Sequence, residues 1–311
     1  GLPTVPGATD SLAIGALELL PATPWDAGLN ETWTVGEEAA EAAVDRFLTE
    51  ALAGYVEDRN RPGRQGTSRL SPHLHFGELS PRRVVAAVLG RCAAAPDGAL
   101  DEGARVYLSE IGWREFAHHL IYHFPHTADA PMDRRFEAFP WAEEYAGDLA
   151  AWQAGRTGIP IVDAGMRELW RTGWMHNRVR MIVASFLTKN LLIPWQEGAR
   201  WFWDTLVDAD LAANSLGWQW TAGCGADAAP YFRVFNPVLQ GEKFDPEGAY
   251  VRRWVPEIAG LPDGLLHKPW EAPQPVLRES GVVLGDGYPK PLVDLKASRQ
   301  RALERFAHIK R

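Results

Sequence analysis

Two arginines and two aspartates stand where a helical core should be apolar. Arg178 and Arg180, then Asp208 and Asp210, lie in a stretch from Ile161 to Trp220 that also holds seven tryptophans. An unpaired charge in such surroundings is expensive. These groups must therefore pair with each other or with a bound polar cofactor. Asp210 and Asn214 are one turn apart on a common helix face. That spacing reads either as helix capping by Asp210 or as a polar seam against a ligand, with Arg180 as the counter-charge.

Two further stretches carry candidate chemistry. Gln65 to Ser71 offers hydroxyls, a guanidinium and mobile backbone amides ahead of a helix start. Such a run suits a diphosphate, because backbone N–H groups and the helix dipole favour anions; it suits an ordinary capped loop equally well. A long helix opening at Asp101 is the second. At 100° per residue, Tyr107, Glu110, Trp113 and Arg114 share about a third of its circumference. Leu108, Ile111 and Phe116 are assigned to its opposite side. Two aromatics, an acid and a base on one face are aimed at something polar.

Other patterns are weaker. Gly223 to Ala228 matches GxGxxA by letter, but no strand precedes it, so it reads as a turn and not as a dinucleotide site. His118, His119, His123 and His126 cluster at one helix end without a third ligand in metal spacing, so no metal is expected. Trp141, Trp195 and Trp218 are scattered, and a packed core explains each of them separately.

The elements that must position these residues are helical. Residues 1–33 carry prolines without periodicity and read as a linker or strap, pinned by Trp25 and Trp33. Residues 34–311 read as one helical domain. Thr34 to Glu37 spells a capping box, followed by a stripe of Ala40, Val44, Phe47, Leu48 and Leu52. Ser71-Pro72 and Ser80-Pro81 each place a capping hydroxyl before a first-turn proline, and Gly77 ends the first of those helices. The helix from Asp101 runs to about Phe124. Further helices are expected over Asp148–Gln153, Asp163–Arg171, Asn177–Leu192, Glu197–Leu206 and Leu211–Trp220. Beyond Gly223 the prolines predict irregular chain, with a last helix over Val293–Ile309. Sustained period-2 alternation is nowhere visible, so the fold class is all-α.

Composition sets the outer bounds. A chain of 311 residues can bury a sizeable core. Its net charge of −8 means that a nucleic-acid partner would need a local basic rim. Cys92 and Cys224 are too few for a disulfide framework or a four-thiolate cluster, which fits a reducing cytoplasm. There is no apolar run of membrane-spanning length and no signal peptide.

The blocks GTSRLSPHLHFGELSPR, WREFAHHL, TGIPIVDAGMRELWRTGWMHNRVRM, DADLAANSLGWQW and DAAPYFRVFNPVLQGEKFDPEG, in that order, resemble the photolyase/cryptochrome family from about Leu17 to the C-terminus. The resemblance implies a helical FAD-binding catalytic domain with FAD held in a bent U shape. It implies that Tyr55 and Thr67, Ser68, Arg69, Leu70 and Ser71 contact the cofactor's phosphates and ribose. Tyr107, where many members have Trp, and Arg114, Asn177, Arg180, Asp208 and Asp210 match further FAD contacts. Asn214 matches the residue facing flavin N5; plant cryptochromes typically carry Asp there and animal ones Cys, so Asn214 leans towards repair. Trp218, Trp195 and Trp141 match the photoreduction chain, Trp141 after a one-residue shift.

The lesion pocket resembles the cyclobutane-dimer version at Glu110, Trp113, Trp174, Met181 and Trp220. The paired histidines of (6-4) enzymes and the Tyr that DASH types place at Trp220 are not seen, so the likeness is to class I. DNA contacts implied are Arg61, Arg64, Asn177, Arg178, Arg233 and Gln240. A dimer is poorly stacked and flips out at lower cost; Trp113 and Trp220 would wall it. Glu110, kept protonated by burial, would donate to a thymine carbonyl. The expected activity is light-driven dimer splitting by reduced FAD (FADH⁻) on UV-damaged DNA, by a monomer. The alternatives are a flavin photoreceptor without repair and an inactive flavin- or DNA-binding fragment. Family members usually carry an α/β antenna domain ahead of this region. The sequence, starting at Gly1, reads as a fragment or a chain cut at the linker, so no antenna chromophore is expected on it and the missing domain is a possible partner.

Overall fold

The computed structural model describes residues 11–94, 101–228, 230–231 and 233–309. Pro3 and Pro6 of the expected strap lie outside them. The chain divides into a unit ending at Thr34 and a unit beginning at Val35. In the first, a 3-10 turn (Ile14–Leu17) and α1 (Ala27–Thr32) are the described helical pieces. Trp25, expected as a pin, is exposed there.

In the second unit two of the helix caps expected from the sequence are not used. α2 (Glu37–Arg46) does not use the capping box: its cap is Gly36 at φ 104°, whose N–H donates to Glu78 Oε1 at 2.8 Å. A distant glutamate thus takes the amide, and glycine supplies the backbone angle. A π turn, Phe47–Ala51, extends this helix, and Ala40, Val44, Phe47 and Leu52 of the expected stripe are buried. α3 (Tyr55–Asp58) and α4 (Ser71–His75) are short. Ser71 is the second unused cap, because Leu70 occupies the cap of α4 and the Ser71 hydroxyl accepts instead from Trp174. α5 (Pro81–Ala93) is capped by Ser80 and α6 (Glu102–His123) by Asp101, as expected. On α6, Ile111 is buried with Tyr107 and not on the opposite side, being only 40° away around the helix. These elements share one core of Val44, Phe47, Tyr55, Val84, Val88 and Tyr107.

A larger core gathers the remaining helices: α7 (Ala146–Gln153), α8 (Pro160–Thr172), α9 (Asn177–Ser185), α10 (Trp195–Thr205) and α11 (Leu211–Ala222). α9 runs on through a π turn, Phe186–Asn190. Past Gly223 the chain is not irregular. It forms α12 (Pro237–Phe244), α13 (Ala249–Trp254), α14 (Asp263–Leu266) and α15 (Gln274–Glu279) before α16 (Leu295–Ala307). Proline is tolerated in a first helical turn, so Pro237 and Pro275 open helices here and segment the chain without abolishing them. Among the described residues no strand forms, only an isolated bridge between Leu284 and Tyr288. None of their helices is long and apolar enough to cross a membrane.

The PIVDAGM block is explained by structure. The fully buried carboxylate of Asp163 accepts from Thr157 N and Oγ1 (both 2.7 Å), Gly158 N (3.0 Å) and Tyr288 OH (2.7 Å). Burial raises its pKa, while the bonds from Thr157 and Tyr288 work the other way. Close packing also sets one glycine. A Cβ at Gly198 of α10 would stand 2.0 Å from Trp218 Cη2 of α11. Gly198→Ala should therefore destabilise by about 1–3 kcal/mol despite its better helix propensity, read as a lower Tm. An unchanged Tm would show that Trp218 can move aside.

Candidate functional site

Three separate segments meet around one indole. Arg69, in the loop before α4, stands at φ 54°, the left-handed region. Its guanidinium lies 4.6 Å from the Trp174 ring centroid, and Arg180 of α9 lies 6.0 Å from it. Trp174 Nε1 donates to Ser71 Oγ at 3.4 Å. Tyr55 and Tyr107 pack edge to face at 5.2 Å. The Tyr107 hydroxyl bonds the Ser68 side chain, and burial pushes this phenol up to about 12. Ser68 Oγ also accepts from Leu70 N. Tyr55, Ser68, Arg69, Ser71, Tyr107, Trp174 and Arg180 thus form one neighbourhood, with Thr67 half-buried in the same loop.

The anticipated ion pair is present. Arg180 Nη2 bonds Asp208 at 2.8 and 3.1 Å, and its Nε donates to Met175 O at 2.7 Å. Asp210 caps α11 through Ala213 N (2.7 Å) and also lies 3.4 Å from His118 Nε2 of α6. Asn214 Nδ2 donates to Ala199 O of α10 at 2.9 Å, which leaves Oδ1 as the atom available to a ligand. Arg114 pairs with its neighbour Glu115, and Asn177 is exposed at the start of α9. Among the described residues no group of three or more His, Cys, Asp or Glu could hold a metal ion.

Trp195 and Trp218 are buried and Trp141 is half-buried. Trp218 packs on Phe202 (5.0 Å) and Trp152 (6.2 Å), and Trp141 on Phe139 (4.4 Å). Trp152, fully buried, was not singled out from sequence, since nothing local marks it.

A second cluster is open to solvent. Trp113 is 45% exposed and edge to face with Phe116, and Trp220 is half-buried. Glu110 is not shielded by burial; it is partly exposed and ion-paired with Arg59 at 2.7 Å. The burial expected of it is not found. Arg59 was missed in favour of Arg61 and Arg64, because register in a loop is not readable from spacing. Arg64 is held by Asp58 at 2.9 Å, and Arg61 is half-buried. Arg178 bonds Asn60, contacts Met181 Sδ at 3.7 Å and lies 4.5 Å from the Phe244 ring of α12. Gln240, on the same helix, is half-buried; Arg233 is exposed.

His176 was also missed, although its place just before a helix was a signal. Its Nδ1 accepts from Arg178 N at 3.2 Å, capping α9. Burial, aided by Arg178, Arg180, Arg59 and Arg69, pushes its pKa down to about 3, so it is neutral. Glu168 accepts from Tyr250 OH (2.6 Å) and His176 N (3.4 Å), fixing the turn that carries Trp174.

The arrangement has a chemical sense. Hydroxyls and guanidinium groups beside carboxylates and an oriented amide fit a ligand with phosphates, a hydroxylated linker and an amide-bearing ring. FAD has those parts. A family model described as the FAD-binding domain of DNA photolyase matches residues 107–308. A deoxyribodipyrimidine photo-lyase of Agrobacterium fabrum is 50% identical over 295 residues, covering 94% of this chain and 60% of that protein. Cryptochrome-2 of Arabidopsis thaliana is 44% identical, covering 89% of this chain and 46% of its own length. The crystal structure of a class III photolyase from Agrobacterium tumefaciens superposes with a TM-score of 0.91 at 49% identity, over 98% of this chain and 63% of that one. The chain thus spans about half to three fifths of these relatives. They include a class III enzyme and a cryptochrome, so they establish the family without the subclass. With the helical fold, the paired Arg180 and Asp208 and the loop around Arg69 all in place, the chain belongs to the photolyase/cryptochrome family and carries its FAD-binding domain.

Proposed function

We propose that this chain is the catalytic part of a deoxyribodipyrimidine photolyase that splits cyclobutane pyrimidine dimers in DNA under blue or near-UV light. The observation carrying this reading is the solvent-open cluster on α6. An exposed Trp113 stands one turn from Glu110, which is tied to Arg59, with Arg178 tied to the adjacent Asn60. A photoreceptor has no need to present an indole, an acid and two arginines together at a surface.

Reduced FAD, when bound, would supply the light-driven electron chemistry that splits the dimer. The chain's residues do the rest. Arg59, Arg178 and Arg233 attract the phosphates beside the lesion, so binding weakens with salt. Trp113 and Trp220 offer flat faces to the extruded dimer, each stacking contact giving about 1–3 kcal/mol. Glu110 serves as a hydrogen-bond partner of the dimer, reached by leaving Arg59. Asn214 presents Oδ1, an acceptor, and so suits a protonated ring nitrogen. Thr67 to Ser71, with Tyr55 and Tyr107, hold the phosphate and ribose end; Arg180, Asp208, Asp210, Arg114 and Asn177 hold the flavin end. Trp218, Trp195 and Trp141 would be the electron donors towards a bound flavin. The setting is cytoplasmic.

The test is direct. FAD-loaded protein, incubated with an oligonucleotide carrying one thymine dimer under blue light, should restore intact thymines. Glu110→Gln should lower the yield while retaining FAD, since the charge that pairs with Arg59 is removed and the hydrogen bonding altered. Bound FAD with no repair would favour the photoreceptor reading, which the cryptochrome relatives keep in view. An unchanged yield in Glu110→Gln would remove that residue from the mechanism.

A further inference from the structure

Lys189 is the one charged side chain of the π turn after α9, and the site described above makes no use of it. It is 1% exposed. Its ammonium donates to the backbone carbonyl of Tyr231 at 3.0 Å and sits 3.7 Å from the centroid of the same residue's ring. One residue therefore receives both of these contacts. Just before the π turn, Ser185 Oγ accepts from Phe235 N at 3.3 Å. The segment 185–190 thus grips the chain beyond α11 at two points, four residues apart.

What is gripped is not a regular element. It is the connection from α11, which carries Trp220, to α12, which carries Gln240. Its inner side is Tyr231, stacked on Phe306 of α16 at 4.2 Å and 11°. Its outer side is Arg233, exposed, whose N–H bonds Pro230 O at 2.8 Å. A buried ammonium whose contacts among the described residues are a carbonyl and a ring face is a costly way to fill space, and a methionine would pack there with less desolvation. Its desolvation is strong enough to bring the lysine's pKa down to about 7. The group is better accounted for by what it fixes.

We propose that Lys189 is a positioning residue for DNA binding: by clamping Tyr231 from inside, it sets where Arg233 stands for the phosphate backbone. This rests on the reading of Arg233 given above, and the experiment separates the two. The FAD-loaded full chain is compared with its Lys189→Met variant in three measurements. Thermal unfolding should be unchanged or raised, as for other buried ions replaced by apolar side chains. Hydrogen exchange at the Arg233 and Phe235 amides should quicken by about tenfold, while α8 keeps its protection, because a hydrogen bond to a charged group has been lost. Affinity for an oligonucleotide with one thymine dimer should fall about three- to tenfold in the wild-type background and not at all in an Arg233→Gln background.

A lowered Tm with uniformly faster exchange would make Lys189 merely structural and overturn the proposal. So would equal losses of affinity in the two backgrounds, or unchanged exchange in the loop. If Arg233→Gln alone leaves affinity intact, the role given to Arg233 fails and the positioning claim falls with it, whereas a quickened loop would still show the clamp. Should Lys189→Met not fold, Lys189→Gln, which keeps a shorter donor, takes its place with smaller shifts of the same sign expected.

Discussion

FAD-loaded Trp218→Phe protein is expected to lose photoreduction of oxidised flavin while keeping dimer repair once it has been reduced chemically. Trp218 is 2% exposed, packed edge to face on Phe202 at 5.0 Å and lying against Gly198 of α10. Phenylalanine fills most of that volume and keeps an edge-to-face partner, so the fold should survive at a cost of about 1–3 kcal/mol. What phenylalanine lacks is an indole that can give up an electron. The two halves of the experiment use the same preparation: illuminated absorbance of oxidised flavin, then thymine recovery after chemical reduction. Photoreduction at the wild-type rate would remove Trp218 from any conducting role. Loss of both activities would show instead that the substitution had disturbed flavin binding.

Asp208→Ala should be the most damaging change to the cofactor site. Asp208 is nearly buried and is the only carboxylate paired with Arg180 among the described residues; Arg180 keeps a quarter of its side-chain surface exposed. Removing one partner from a buried pair costs about 3–5 kcal/mol, and the exposure of Arg180 discounts this to about 2 kcal/mol. Tm should then fall by several degrees. Flavin retention should fall further than stability does, because Arg180 keeps its bond to Met175 O but carries an uncompensated charge where the flavin is proposed to sit. Asp208→Asn, which keeps shape and an acceptor, should lie between. Wild-type Tm together with wild-type flavin absorbance in Asp208→Ala would refute both the energetic argument and the placement of the cofactor.

Much of the long-helix framework is legible in the sequence because it is dictated locally. Asp101, Ser80 and Asp210 cap α6, α5 and α11 by hydrogen bonds within three residues, and Gly223 ends α11 at φ 87°. Those interactions need no knowledge of the rest of the chain. The pairing of Arg180 with Asp208 was also open to inference, since two opposite charges in one apolar stretch have few other partners. The short helices after Gly223 are hidden in the sequence by prolines, which mark breaks and first turns alike. Whether a proline ends a helix or begins one depends on what its first turn can bury.

Residue types alone determined that this chain folds as helices around a polar site in an aromatic core. Only the tertiary structure decided which distant residues become partners. Glu78 caps α2 from outside the helix, Arg59 and not Arg64 reaches Glu110, and Lys189 closes on Tyr231. Each joins residues some 40 or more positions apart. Such contacts are selected by which surfaces the packed helices bring within hydrogen-bond reach, and the order of residues along the chain does not encode that distance on its own.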